Sequence, residues 1–135
     1  MPLLTTTCSP EAQFSPPLDG TSNYIHDIAP YCVSIALRNR EELLLGVVYE
    51  VCRDECFYAV KGGKAYLDGN EIYVSDVSVL DKAFIALGFP YNSDAYHPVA
   101  GHLVDRLYGF AGGTRLMGSA ELNCVMWQQD VLMPV

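Results

Sequence analysis

The apolar residues of this chain change their rhythm partway along. Between residues 31 and 74 they come in short runs parted by polar turns. "YCVSIALR" (31–38) suits a pleated surface, and "NREE" (39–42) interrupts it. "LLLGVVYEV" (43–51) is continuous enough to predict a strand buried on both faces. "CRDE" turns the chain again, "CFYAV" (56–60) predicts a third strand, and "KGGK" follows. "AYL" (65–67) then enters Asp68-Gly69-Asn70 and leaves through "EIYV". Asp-Gly between short alternating runs predicts a two-residue hairpin, because both central positions need positive φ. The whole stretch reads as an antiparallel meander.

Beyond it the period lengthens. "SDVSVLD" (75–81) begins with residues that cap a short turn, and "AFIALGF" (83–89) is a further strand candidate. In "YHPVAGHLVDRLYGFAG" (96–112), Val99, Leu103, Leu107 and Phe110 recur at helical spacing, with Val104 beside them. Gly109 or Gly112 would close that helix. "GTRLMGSAELN" (113–123) prepares another helix, with Ser119 as its N-cap. Strands first, then helix, strand and helix, predict an α+β fold with helices packed on a mostly antiparallel sheet. The first 16 residues hold Pro2, Pro10, Pro16 and a threonine run, and read as irregular.

Composition narrows the function classes. The 135 residues allow one domain, and their 50% hydrophobic content allows a core. A net charge of −8 argues against nucleic acid or an anionic membrane as partner, since both reward a basic surface. Five cysteines (Cys8, Cys32, Cys52, Cys56, Cys124) match no disulfide or zinc spacing, so buried reduced thiols are expected. "MPLLTTTCSP" lacks the basic and apolar regions of a secretory leader, and no run has the roughly 18 apolar residues of a membrane span. A cytoplasmic protein is the expectation.

"PPLDGTSN" (16–23) is dense in turn formers and oxygen ligands. Alone, Asp-Gly-Thr reads as a turn. Its surroundings change that. "PLDGTSNYIHD", followed by "VSIAL", "LLLGVVYEVCRDECFYAVKGGKAYLDGNEIYVS", "LGFPY" and "RLMGSAELN", resembles the inositol monophosphatase family, collinearly over about residues 17–123. The family signature is Asp-Pro-(Ile/Leu)-Asp-Gly-Thr-(Thr/Ser)-Asn, and Pro17 through Asn23 match every position after the first.

The resemblance implies the central part of a layered αβαβα sugar-phosphatase fold. It also implies Mg²⁺-dependent hydrolysis of a small-molecule phosphate monoester, inositol phosphate in type. In that chemistry carboxylates hold hard cations, which polarise the phosphoryl group and activate water. Carried over by position, Asp19 would bind metal through its carboxylate and Leu18 through its carbonyl. Gly20 and Thr21 would cradle phosphate, with the Thr21 hydroxyl orienting the attacking water. Gly118, Ser119 and Ala120 would line the substrate's ring, where N–H groups at a helix start suit polar or anionic ligands. Homodimers are usual in the family, and its members also accept sugar bisphosphates, 3′-phosphoadenosine phosphates and histidinol phosphate. His26 and Asp27 are expected to fix a loop, His97 and His102 to lie on a surface helix, and Glu121 to be a solvated or capping carboxylate.

The chain also departs from the family pattern. Pro16 stands where the signature has its first, metal-bridging Asp. The upstream Gly-Glu-Glu segment and the later Trp-Asp-x-Ala-Ala motif are absent; Trp127 and Asp130 are not adjacent. Residues 124–135 leave the small-residue helix that should follow "GSAELN". With one choice of codons, a one-base shift after Asn123 reads Leu-Cys-Tyr-Val-Ala-Ala-Gly-Arg-Phe-Asp-Ala, so a frameshifted tail is expected. The reading is thus an incomplete phosphatase chain, weakly active or inactive, with a non-catalytic remnant domain as the alternative. Apolar sheet faces left uncovered are expected to favour pairing or aggregation.

Overall fold

The structure is a computed structural model that describes residues 18–89, 96–126 and 133–134. Its main element is a six-stranded antiparallel meander: β1 (Leu18–Asp19), β2 (Cys32–Arg38), β3 (Leu43–Glu50), β4 (Glu55–Val60), β5 (Ala65–Leu67) and β6 (Asn70–Ile72), in that spatial order. The turns follow from their residues. Asn39 Oδ1 accepts the N–H groups of Glu41 and Glu42 at 2.9 and 2.8 Å and rounds the chain from β2 to β3. Glu50 is fully buried, and its carboxylate accepts the N–H groups of Cys52 and Arg53, closing the β3–β4 turn. The β5–β6 hairpin pairs Leu67 with Asn70, and Asp68 and Gly69 both take positive φ (49° and 85°), as the Asp-Gly signal predicts.

A short helix, α1 (Thr21–Ile25), joins β1 to β2. Downstream come a single 3₁₀ turn (Leu80–Lys82), β7 (Phe84–Ala86), α2 (His97–Leu107), β8 (Gly113–Arg115), α3 (Ala120–Met126) and β9 (Met133–Pro134). Here the expected architecture needs an addition. β7, β8 and β9 form a second, parallel sheet in the order β8-β7-β9, with Ile85 opposite Thr114 and Met133. Parallel neighbours need a crossover connection, so no local turn signal marks them.

Packing divides along the same line. α3 lies on β2 and β3 and buries Leu122 and Met126; Cys32 and Phe57 are buried residues of the main sheet. Ala83, Ile85 and Leu87 form a second cluster, packed by Val77, Leu103, Leu107 and Ala111. The predicted apolar stripe of α2 is therefore narrower than expected. Leu103 and Leu107 face the core, whereas Val99 and Phe110 are exposed and Phe110 lies past the helix end. β3 also departs from expectation. Leu43 is exposed, the residues after it are half-buried, and only Glu50 is buried. Among the described residues α3 covers only part of that sheet, so a run with apolar residues on both faces keeps one face open. The four described cysteines are free, but only Cys32 is buried; Cys52 sits in a turn and Cys124 on the outer side of α3. No described helix is long and apolar enough to cross a membrane. The predicted irregular residues 1–16 lie outside the described residues, as does the Pro90–Tyr91 end of "LGFPY".

Candidate functional site

Two loops far apart in sequence meet at the edge of the main sheet. The first is the β1–α1 turn. Gly20 is buried with φ 78°, and a Cβ there would stand 3.1–3.2 Å from Tyr31 and the Pro30 carbonyl, so the turn needs glycine. The second loop, Met117–Ser119, starts α3. Gly118 takes φ 77°, and a Cβ on it would meet the Asn23 side-chain amide at 2.8–2.9 Å.

Two side chains of the first loop reach the second. The Asn23 amide nitrogen donates to the carbonyls of Pro30 and Met117, both at 2.7 Å. Asp19 Oδ2 accepts the Ser119 hydroxyl at 2.5 Å and the Glu121 N–H at 3.1 Å. Ser119 Oγ in turn accepts the Leu122 N–H at 3.3 Å, which makes Ser119 the N-cap predicted for α3. Cys32 Sγ lies 3.6 Å from the same hydroxyl, and burial pushes the Cys32 thiol up to about 11. Ser119 is 1% exposed, and its donor and acceptor positions are committed within the protein.

Of the two expectations for Glu121, solvated or capping, the first does not hold. Its carboxyl is half-buried against Asp19 rather than solvated. Its Oε2 is buried without a donor. The hydrogen bond to Asp19, then burial, push the Glu121 carboxyl above its ordinary value. Burial alone would raise Asp19 too. The hydrogen bonds from the Glu121 carboxyl, from Ser119 and from the N–H groups of Glu121 and Gly20 outweigh it and hold Asp19 below its ordinary value. The two carboxyls, in contact, are thus pushed in opposite directions, Glu121 up and Asp19 down.

A cleft of about 680 Å³ opens beside this junction, lined by Asp19, Asn23, Gly118, Ser119, Ala120 and Asn123 among mainly apolar neighbours. Four of the seven candidate residues therefore share one cavity. Leu18, Gly20 and Thr21 flank it from the β1–α1 turn without lining it. Thr21 is exposed, and its hydroxyl makes a long 3.5 Å contact to the Leu18 carbonyl. The N–H groups of Glu121 and Leu122, in the first turn of α3, donate to Asp19 and Ser119. His26 and Asp27 lie in the turn that ends α1, with Asp27 at φ 54°, and His97 and His102 are exposed on α2. The sequence assigns nothing to Asn23, although it closes the quoted signature.

The residues present do not fit a magnesium centre. Mg²⁺ demands near-octahedral oxygen ligands and gives up water reluctantly. One oxygen of Asp19 already holds two donors, the Leu18 carbonyl faces Thr21, and Pro16 has no side-chain oxygen. Among the described residues no three His, Cys, Asp or Glu side chains gather closely enough to hold a metal ion.

Residues 17–130 match the inositol monophosphatase family. The chain is 36% identical over 107 residues to the Nus factor SuhB of Escherichia coli K12, covering 79% of this chain and 40% of that protein. It is 35% identical over 126 residues to the inositol-1-monophosphatase of Rhizobium meliloti, covering 85% and 47%. Among solved structures, the extragenic suppressor protein suhB of Bartonella henselae superposes with a TM-score of 0.81 at 30% identity, covering 87% of this chain and 46% of that one. The α+β fold is that of the inositol monophosphatase and SuhB structures. The chain belongs to the inositol monophosphatase family, and it spans 40–47% of the length of those curated relatives.

Proposed function

We propose that this chain carries the central part of a phosphomonoesterase of inositol monophosphatase type, whose substrate is a small phosphate monoester such as inositol 1-phosphate. The observation that carries the reading is the junction itself. The signature carboxylate Asp19 and the Gly118-Ser119-Ala120 turn, about a hundred residues apart in sequence, line one cleft. Magnesium is the cofactor that the family implies, with Asp19 and the Leu18 carbonyl as its ligands from this segment. They do not suffice alone, so the polypeptide by itself is expected to be inactive or nearly so. A homodimer and a cytoplasmic location belong to the same reading.

Two assays test it. The chain alone, with inositol 1-phosphate and Mg²⁺, should release no phosphate above background; turnover abolished by Asp19→Ala would refute inactivity. A chimera in which residues 17–123 replace the matching segment of the Rhizobium meliloti enzyme should hydrolyse inositol 1-phosphate and lose that activity on Asp19→Ala. A folded chimera without turnover would sink the enzymatic reading. The non-catalytic alternative is favoured by one observation, the commitment of Asp19 and Ser119 to each other.

A further inference from the structure

We propose that in this chain Asp19 is a structural tie, holding the β1–α1 turn to the start of α3, so that the cleft keeps its shape with no cation bound. The proposal rests on the family reading only in naming Asp19 as the residue a metal would use.

A carboxylate oxygen has two lone-pair directions, and both on Asp19 Oδ2 are filled, by the Ser119 hydroxyl at 2.5 Å and the Glu121 N–H at 3.1 Å. Both donors sit at the beginning of α3, where N–H groups have no partner within the helix. Asp19 therefore does for α3 what a capping residue does, from another strand. Charge-assisted bonds of this kind are among the stronger ones in proteins. Ser119 adds a second level, since the same hydroxyl caps Leu122 and is 1% exposed. Asn23 makes the parallel connection to Met117, so two side chains of one loop clamp the other. Asp19 pairs through β1 with Cys32 of β2, and Cys32 touches Ser119 from below. The tie thus runs from the sheet through two side chains into the helix.

A cation could take Asp19 Oδ2 only by breaking these bonds, which leaves at most the other carboxylate oxygen for it. A metal-binding loop and a structural tie make opposite predictions in chelator. An unfilled metal loop concentrates negative charge that stabilises nothing until the ion arrives. A tie contributes in full without it.

Thermal melting followed by circular dichroism separates them. In EDTA, Asp19→Ala and Ser119→Ala should each lower the midpoint by about 4 °C or more. The double variant should fall by much less than the sum, because both lose the same bond. Asp19→Asn, which keeps an acceptor oxygen, should fall less than Asp19→Ala. Adding 10 mM MgCl₂ should leave the wild-type midpoint unmoved. A site with a Kd near 1 mM would instead raise it by about 4 °C. A magnesium-dependent rise in wild type overturns the proposal, and so does a Ser119→Ala or Asp19→Ala midpoint equal to wild type in EDTA. If Asp19→Ala does not fold, the Ser119→Ala shift and the wild-type magnesium response decide. None of these readings depends on turnover, so they stand apart from the chimera assay.

Discussion

The Asn23 side chain donates to the carbonyl of Met117 at 2.7 Å, across 94 residues of chain, and spends its remaining donor on Pro30 at the same distance. Neither carbonyl has another partner of this quality among the described residues. Asn23→Ala should therefore remove two hydrogen bonds and leave two partly buried acceptors bare, a loss of about 2–3 kcal/mol in urea unfolding. Asn23→Asp should be no better, because a carboxylate offers no donor to two carbonyls. An alanine variant within about 0.5 kcal/mol of wild type would show that the clamp contributes nothing.

Gly118→Ala tests the other side of that contact. The backbone at 118 has φ 77°, which costs a residue with a Cβ about 1–2 kcal/mol, and the new Cβ would lie 2.8 Å from Asn23 Oδ1. The combined cost should exceed the conformational one alone. In an Asn23→Ala background the clash disappears, so the same substitution should cost only its conformational share. Equal costs in both backgrounds, read from denaturant midpoints, would contradict the arrangement.

Gly69 supplies a contrast. It has φ 85° in the β5–β6 turn, and a Cβ there would meet nothing within 4 Å. Gly69→Ala should cost about 1 kcal/mol through backbone strain alone. Asp68→Ala should cost as much or more, because Asp68 has φ 49° in the same turn and its Oδ1 accepts the Cys56 N–H at 2.8 Å.

These positions also separate what the sequence makes legible from what it does not. The Asp68-Gly69 hairpin, the β2–β4 runs and the Ser119 cap rest on neighbours within four residues, and periodicity and turn chemistry reveal them. The parallel pairing of β7 with β8 and β9 depends on a crossover, and the half-open face of β3 depends on what packs over it. Neither has a local signature. The meeting of Asp19 with Ser119 lies between these cases. No spacing rule joins residues a hundred apart, and only the family resemblance put both into one site. Even that resemblance was silent on Asn23. Glu121 is expected to be solvated or capping, as a carboxylate in the first turn of a helix ordinarily is, and only its solvation fails. Nothing in the sequence says that its carboxyl folds back onto another.

That carboxyl gives the pH prediction. Asp19 lies below its ordinary value of 3.8, so its contribution is present above that value and is lost as pH falls through the lower, folded one. Glu121 lies above its ordinary 4.5, so its contribution is complete below 4.5 and is lost as pH rises through the higher, folded one. The pair therefore stabilises most near pH 4, where Asp19 is charged and Glu121 carries the shared proton. Toward pH 7 both become charged, and two partly buried carboxylates repel. Glu121→Gln keeps a donor N–H for Asp19 at every pH and removes the second charge. The variant should be more stable than wild type at about pH 7, by up to about 1 kcal/mol, and should lose that advantage near pH 4. Urea midpoints at both values measure the difference, and the comparison cancels every other titrating group. A gap between variant and wild type that stays constant from pH 4 to 7 would mean that Glu121 and Asp19 do not share a proton.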